Sequence, residues 1–197
     1  MKKFFTLVIV SLLSAVAVQA QKVVINKTDG SKVTFRADEI QSVQFASASV
    51  ADQFVGSYKG TDNVNVGGMI SYSSAEEVTY EVKDNGDGTI NLIVPEVKYN
   101  GTVMGNLILG SYTIPNIPYD ATQKAFVKAY KEDKIKFRFK IADGSGKVTK
   151  DQEYTFDKDI CKVTITKEAD GKLKISNNYK MGAMPMPIYG TFVGAKQ

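Results

Sequence analysis

The stretch Lys134-Ile135-Lys136-Phe137-Arg138-Phe139-Lys140-Ile141 decides the fold class of this chain. A basic residue stands at every even position and a large apolar residue at every odd position. Successive side chains of a β-strand point to opposite faces of a sheet. The alternation therefore predicts a strand with one face on a core and four cations in water. These cations could attract an anionic surface, but we interpret them as a solvated outer face that discourages edge pairing.

Other strand and turn patterns occur on both sides of this stretch. The clearest hairpin joins residues 77–82 to residues 89–94 through the turn residues 84–88. Pro115 and Pro118 indicate a loop or an edge strand, and residues 121–131 are the one later stretch that could form a helical turn or two. Eight or so short strands, each apolar on one face, predict an all-β barrel or sandwich.

Residues 1–20 have the pattern of a cleavable signal peptide. Lys2 and Lys3 precede an uncharged, mostly apolar run from residue 4 to residue 18, and small side chains lead to Ala20. The run is shorter than the ~20 residues of a spanning helix, although an uncleaved anchoring helix is the alternative. Cys161 is the one cysteine, so no lipid anchor is expected at the mature terminus. We expect a periplasmic or extracellular protein without a transmembrane segment in its mature chain.

The remaining chain divides into a small N-terminal segment and one main domain. Residues 21–45 predict a β-hairpin segment whose turn contains Asp29-Gly30. Such a hairpin is not stable alone, so it must pack on the main domain or bind a partner, such as an envelope protein. Residues 46–52 are small and indicate a flexible linker. The main domain is expected at residues 53–197.

The composition excludes several classes of function. The chain has no histidine, which removes the commonest general base and the commonest metal ligand. We therefore predict no catalytic residues, no metal site and no cofactor, and do not expect an enzyme. A net charge of +4, half of it from the leader lysines, is too small to indicate nucleic-acid binding. Cys161 lies beside a strand-like run and is interpreted as a buried small apolar residue.

The two ends of the main domain carry a family resemblance. Residues 180–188, Lys-Met-Gly-Ala-Met-Pro-Met-Pro-Ile, and the following residues 191–196 resemble the closing motif of calycin-like (lipocalin-like) β-barrel domains of exported Gram-negative envelope proteins. The opening residues 56–60 are similar to the Gly-x-Trp start of lipocalins, with Tyr58 in place of Trp. Residues 38–45 resemble a hairpin segment often fused to such domains. The resemblance covers residues 53–197 and implies an antiparallel up-and-down barrel of about eight strands, which can hold one small ligand.

The function expected from this resemblance is a binding module for a small hydrophobic or amphipathic ligand. Apolar and aromatic side chains suit such a ligand, although a packed core has the same composition. The methionines of the closing motif could either line the barrel mouth or plug it. The candidate ligand-binding residues are Tyr58, Tyr99, Met104, Leu107, Tyr112, Phe137, Phe139, Met184 and Met186. The alternative is a structural or adhesion module of the cell envelope that acts through β-strand pairing.

Overall fold

The computed structural model describes residues 22–27, 29–42, 49–182 and 184–197. The chain divides into two units, Met1–Ser47 and Ala48–Gln197. The predicted signal peptide lies outside the described residues. Within them, no helix has both the length and the apolar character needed to cross a membrane. The described strands are, in chain order, β1 (Lys22–Asn26), β2 (Lys32–Arg36), β3 (Gly56–Val66), β4 (Ile70–Ser73), β5 (Val78–Asp84), β6 (Thr89–Val94), β7 (Val97–Thr102), β8 (Gly105–Leu109), β9 (Tyr112–Asp120), β10 (Ala125–Ala129), β11 (Lys136–Ala142), β12 (Val148–Thr155), β13 (Lys162–Lys167), β14 (Leu173–Tyr179) and β15 (Ile188–Lys196).

Eight of the described strands close into an antiparallel barrel in the order β3-β5-β6-β9-β10-β13-β14-β15. The closing ladder joins β15 to β3, from the pair Lys196–Tyr58 to the pair Ile188–Val66. The short strand β4 pairs with the second half of β3. The predicted antiparallel barrel of about eight strands is confirmed, and the closure on β3 rules out the sandwich.

The strand β3 shows how alternation builds the barrel interior. Tyr58, Gly60, Asp62 and Val64 are buried, whereas the residues between them are more exposed. Gly60 lies opposite Gly194 in the closing ladder, and a Cβ atom on Gly60 would lie 2.0 Å from the backbone oxygen of the residue before Gly194. The barrel therefore closes where the two backbones approach too closely for any side chain.

The topology places all the long connections at one end of the barrel. Consecutive antiparallel strands run in opposite directions, so their connections alternate between the two ends. The connections β3–β5, β6–β9, β10–β13 and β14–β15 therefore share one end, which we name the capped end. Two of them carry the hairpins β7–β8 and β11–β12, which join in a second sheet of order β12-β11-β8-β7. The strand connections at the opposite end are short turns among the described residues, and the 3-10 turn Ala51–Gln53 precedes β3 at that end.

Aromatic contacts attach this second sheet to the barrel. Phe137 of β11 stacks on Phe156 with ring centroids 4.3 Å apart. The Phe156 ring also contacts Tyr112 of β9 and Tyr179 of β14, at 5.0 and 5.2 Å. Phe137, Phe156 and Tyr179 belong to the continuous hydrophobic core of the main unit, and the partly buried Tyr112 packs against it. The core therefore extends from the barrel interior into the second sheet.

The stretch that decides the fold class lies in the second sheet. Phe137 and Phe139 are buried, as the alternation predicts. On the outer face, Lys136 forms an ion pair with Glu153 of β12 at 2.9 Å, and the Arg138 guanidinium binds a β12 aspartate. The cations therefore interact with the neighbouring strand as well as with water.

The structure corrects the helical prediction for residues 121–131 and refines the prediction for the two prolines. Residues 121–131 do not form a helix except for Lys131, which begins the short 3-10 turn Lys131–Asp133. Phe126 is instead buried in β10, which pairs with β9 and β13. Pro115 and Pro118 lie inside β9 and not in a loop, but β9 pairs there with β6 alone, because its ladder with β10 covers only Tyr119 and Asp120. A register shift opposite β9 and a positive φ of 51° at Asn116 interrupt the ladder there. Such irregularities tolerate the missing proline N–H groups.

The N-terminal unit contains the predicted hairpin. β1 and β2 pair from Lys22–Arg36 to Asn26–Lys32. The expected linker at residues 46–52 lies partly outside the described residues. Its last part is not free chain, because Ala51–Gln53 form a 3-10 turn and Ala51 is fully buried in the core of the main unit. The domain limits otherwise stay a prediction.

Candidate functional site

An almost wholly apolar cavity of about 90 Å³ lies at the capped end, between the barrel rim and the second sheet. We name it the apolar cavity. It receives side chains from β3, β4, β7, β8, β11 and β15 and from the β7–β8 and β14–β15 connections. Its lining consists of Val64, Val66, Ile70, Tyr72, Tyr99, Thr102, Val103, Met104, Leu107, Leu109, Phe139, Met181, Met184, Met186 and Ile188.

Strand periodicity explains why the second sheet turns apolar side chains towards this cavity. Leu107 and Leu109 are two residues apart on β8 and therefore share a face. Phe139 of β11 lies directly opposite Leu109 in the ladder. These three side chains form one wall, and methionines of the β14–β15 connection form another.

A turn that contains glycine packs closely against Met186, one of those methionines. Gly67 follows β3 with a φ of 63°, and its N–H donates to the Pro187 carbonyl at 2.8 Å. A Cβ atom on Gly67 would lie 2.9 Å from the Met186 sulfur. Only glycine therefore combines this backbone conformation with so close a contact.

Exposed apolar residues surround the opening of the apolar cavity. Val103 is 81% exposed and Met104 is 45% exposed, both in the β7–β8 turn, and Ile70 of β4 is 40% exposed. Tyr72 joins the two sides, because its hydroxyl accepts a hydrogen bond of 3.2 Å from the Val103 N–H. Of the described residues, only those of the short β7–β8 turn and the neighbouring strand β4 separate the apolar cavity from solvent on this side.

A second cavity, of about 20 Å³, lies in the barrel interior and has both apolar and polar walls. We name it the polar cavity because a buried aspartate lines it. This volume suits about one water molecule. Asp62 of β3 lines it and is only 4% exposed. The Tyr99 hydroxyl donates to Asp62 Oδ1 at 2.6 Å, and the Tyr80 hydroxyl donates to Asp62 Oδ2. Burial raises the pKa of Asp62 to about 6, although both hydrogen bonds oppose the rise.

A network of polar side chains adjoins the polar cavity, which Tyr112 and Asn177 also line. The Tyr130 hydroxyl donates to Asn177 Oδ1, and Asn177 Nδ2 donates to the Tyr112 hydroxyl, both at 2.7 Å. Burial raises the pKa of Tyr112 far above its ordinary value, so the phenol is neutral. Tyr112, Asn177 and Tyr179 therefore face Asp62 as neutral groups across the cavity.

The structure brings together most of the predicted ligand-binding residues. Six of the nine line the apolar cavity: Tyr99, Met104, Leu107, Phe139, Met184 and Met186. Tyr99 also lines the polar cavity, together with Tyr112. Tyr58 and Phe137 line neither cavity. The buried Tyr58 hydroxyl donates to the Phe54 carbonyl near the opposite end of the barrel, and Phe137 packs in the aromatic core.

Sequence reasoning missed the two residues that define the polar cavity, Asp62 and Tyr80. A signal for Asp62 exists, since it lies four residues after Tyr58 and two before Val64 on the inward face of β3. An aspartate at an inward position of a barrel strand must find partners. Tyr80 has the same inward register on β5, but nothing in the sequence shows that it meets Asp62.

Other concave surfaces are less suited to a ligand. A groove of about 440 Å³ between residues 75–79 and residues 95–100 is larger, but it is open and lined by charged side chains such as Glu77 and Lys98. Among the described residues, no group of three or more carboxylate or thiol side chains is placed to hold a metal ion. The enclosed apolar cavity is therefore the best candidate site.

A closed eight-stranded antiparallel barrel with an apolar cavity at one end defines a small β-barrel protein of the size that holds a single small ligand. A family model described as "Calycin-like beta-barrel domain" matches residues 54–195. The chain therefore belongs to the calycin-like β-barrel domain family, as the motifs at the two ends of the main domain indicate.

A solved structure has a similar fold. It is the crystal structure of a Bacteroides fragilis NCTC 9343 protein described as a "putative outer membrane protein", with a TM-score of 0.50 and 20% sequence identity. The alignment covers 89% of this chain and 61% of that chain, so the present chain spans less than two thirds of that protein. At this identity the likeness concerns the fold alone. No curated protein matched the sequence.

Proposed function

We propose that this chain is a binding module that holds one small hydrophobic or amphipathic molecule in the apolar cavity. The observation that carries the proposal is that the wall of the apolar cavity has almost no polar surface. The residues around its opening are also apolar, and they are exposed to solvent. Transfer of an apolar group from water to such a site is favourable by roughly 25 cal/mol for each Å² of apolar surface buried.

The dimensions of the cavity limit the kind of ligand. At about 90 Å³ it is smaller than the roughly 300 Å³ at which pockets for drug-sized molecules begin. A slim hydrocarbon chain fits better than a fused ring system. Met181, Met184 and Met186 can adapt to such a chain, because unbranched thioether side chains repack easily.

The direct experiment is calorimetric titration of the protein with n-octanol. Repeating the titration at several temperatures gives the heat-capacity change of binding. We expect saturable binding to one site with a negative heat-capacity change, the signature of apolar burial. Absence of saturable binding of n-octanol and of longer alkanols would remove the proposal.

A pair of variants on one strand tests the location of the site. Leu107→Phe adds volume inside the apolar cavity, whereas Ile108→Phe adds the same group on the opposite face of β8. We expect Leu107→Phe to weaken n-octanol binding about tenfold or more, equivalent to about 1.4 kcal/mol. Ile108→Phe should bind as the unmodified protein does. Equal effects of the two substitutions would place the ligand elsewhere.

The proposed place of action is outside the cytoplasm, in the periplasm or beyond the cell. The signal-peptide pattern of residues 1–20 supports this, together with the family resemblance to exported proteins. Mass determination of the protein after secretion tests it, since cleavage after Ala20 predicts a chain that starts at Gln21.

A second candidate function is strand pairing by the N-terminal hairpin with an envelope protein. Its support is that, within the described residues, the first sheet contains two strands only, and Val24, Ile25 and Phe35 are each 40–49% exposed. Exposed strand edges can accept a further strand. Removal of residues 21–45 should then abolish co-purification of a partner, and identical behaviour of both chains would exclude the role.

A further inference from the structure

A buried acidic group lies at the inner side of the candidate site, and no cation accompanies it. Asp62 is 4% exposed and accepts hydrogen bonds from Tyr80 and Tyr99. Among the residues that the structure describes, no lysine or arginine lines the polar cavity or contributes to the ionisation of Asp62. Buried carboxylates are ordinarily paired with a cation, because phenol donors leave the net charge uncompensated.

The carboxylate is adjacent to the apolar cavity. Val64, Tyr99 and Leu109 line both cavities. Tyr99 connects them directly, since it belongs to the apolar lining while its hydroxyl donates to Asp62 Oδ1 at 2.6 Å. A molecule with its chain in the apolar cavity therefore has its inner end beside Tyr99, one side chain away from Asp62.

We infer that the site selects amphiphiles with a cationic head, such as a primary alkylammonium, and that Asp62 is the group that binds the head. The inference rests on the proposed function, because the hydrocarbon chain occupies the apolar cavity. The ammonium occupies the polar cavity, whose volume of about 20 Å³ suits one water-sized group, and donates to the carboxylate. Tyr80 and Tyr99 keep the two carboxylate oxygens in place, so that the charge is oriented before the ligand arrives.

The other titratable groups that the structure describes around Asp62 are uncharged, so the charge of Asp62 alone determines the preference for a cationic head. Tyr80 of β5, Tyr99 of β7, Tyr112 of β9 and Tyr179 of β14 surround the carboxylate, and burial raises the pKa of each phenol. They are therefore neutral from acid to mildly alkaline pH. The pKa of Asp62 is raised to about 6, so its negative charge is present at neutral pH and is lost in mild acid.

The test compares three probes with the same chain, n-octylamine, n-octanol and octanoate, titrated into the full mature chain at about pH 8 and about pH 5. An alkylammonium has a pKa near 10 and stays charged at both. We expect n-octylamine to bind about tenfold or more tightly than n-octanol at pH 8, and octanoate to bind most weakly. At pH 5 protonation of Asp62 should weaken n-octylamine binding about tenfold and leave n-octanol unchanged.

Asp62→Asn should make n-octylamine and n-octanol equivalent at both pH values. Tyr58→Phe is the matched control, since it removes a buried hydroxyl at the other end of β3 and should keep the preference. If Asp62→Asn does not fold, the pH comparison on the unmodified protein decides. Equal, pH-independent binding of n-octylamine and n-octanol overturns this inference and leaves the proposed function standing. Binding of none of the three probes overturns both.

Discussion

Replacement of Asp62 by asparagine should make the protein more stable at neutral pH and not in acid. Asparagine has the size of aspartate, its amide oxygen can accept from one tyrosine, and its NH₂ group can donate to the other. The substitution removes only the charge. Burial raises the pKa of Asp62 from 3.8 to about 6, so the folded protein holds this proton more tightly than the unfolded chain does.

The sign and size of the effect follow from this difference. The stability associated with protonated Asp62 is complete below the unfolded pKa and is lost as the pH rises through the folded pKa. At about 1.4 kcal/mol for each pKa unit, the loss is about 3 kcal/mol. Between about pH 3.5 and pH 7.5 the free energy of unfolding of Asp62→Asn should therefore rise by about 3 kcal/mol relative to the unmodified protein.

Urea unfolding followed by tyrosine fluorescence at several pH values measures this difference. Asp120→Asn is the control of opposite sign. Hydrogen bonds from the Gln123 backbone and side chain lower the pKa of Asp120, so this carboxylate stabilises the fold above its unfolded pKa. Its replacement should cost stability as the pH rises. A difference between Asp62→Asn and the unmodified protein that stays constant over the whole pH range would refute the reasoning.

Three further substitutions, with Gly144→Ala as a control for one of them, test the packing. Phe156→Ala should lower the free energy of unfolding by about 3–5 kcal/mol in a urea titration, because the ring contacts both sheets; a cost below 1 kcal/mol would contradict that role. Gly60→Ala should lower the free energy of unfolding by about 3 kcal/mol, since its Cβ would lie 2.0 Å from a backbone oxygen of the closing strand. Gly144→Ala, with open space around it, should be nearly neutral. Similar thermal midpoints of the two variants would show that the β3–β15 closure tolerates a side chain. Tyr58→Phe should cost about 1 kcal/mol for the hydrogen bond of its hydroxyl to a backbone carbonyl, and a more stable variant would argue against that bond.

Strand identity could be predicted for much of the chain because alternation is a local property. The stretch around Phe137 and Phe139 is a strand with the expected buried face. Its sheet could not be predicted, because the barrel and the second sheet demand the same two-residue period. The β10 segment is compatible with a helical turn or two from sequence for a related reason, since the short run that contains Phe126 shows too little periodicity to distinguish a strand from a helix.

The candidate site was predictable in part. Chain motifs pointed to Met184 and Met186, and composition pointed to Leu107 and Tyr99, all of which line the apolar cavity. The separation of Tyr58 from that cavity depends on its position along β3, eight residues before the rim. Length along a strand converts to distance at about 3.3 Å per residue, but only the closed topology shows which end carries the cavity.

By itself the sequence determined the all-β class, the hairpin in the N-terminal segment, the absence of histidine chemistry and the likeness to calycin-like barrels. Each of these depends on neighbouring residues or on composition. The tertiary structure decided which eight strands close the barrel, that two inserted hairpins form a second sheet, and that Asp62 meets Tyr80 and Tyr99, 18 and 37 residues away. Such contacts depend on strand order and register. Strand order and register are set by the packing of one common core, to which side chains from distant parts of the chain contribute.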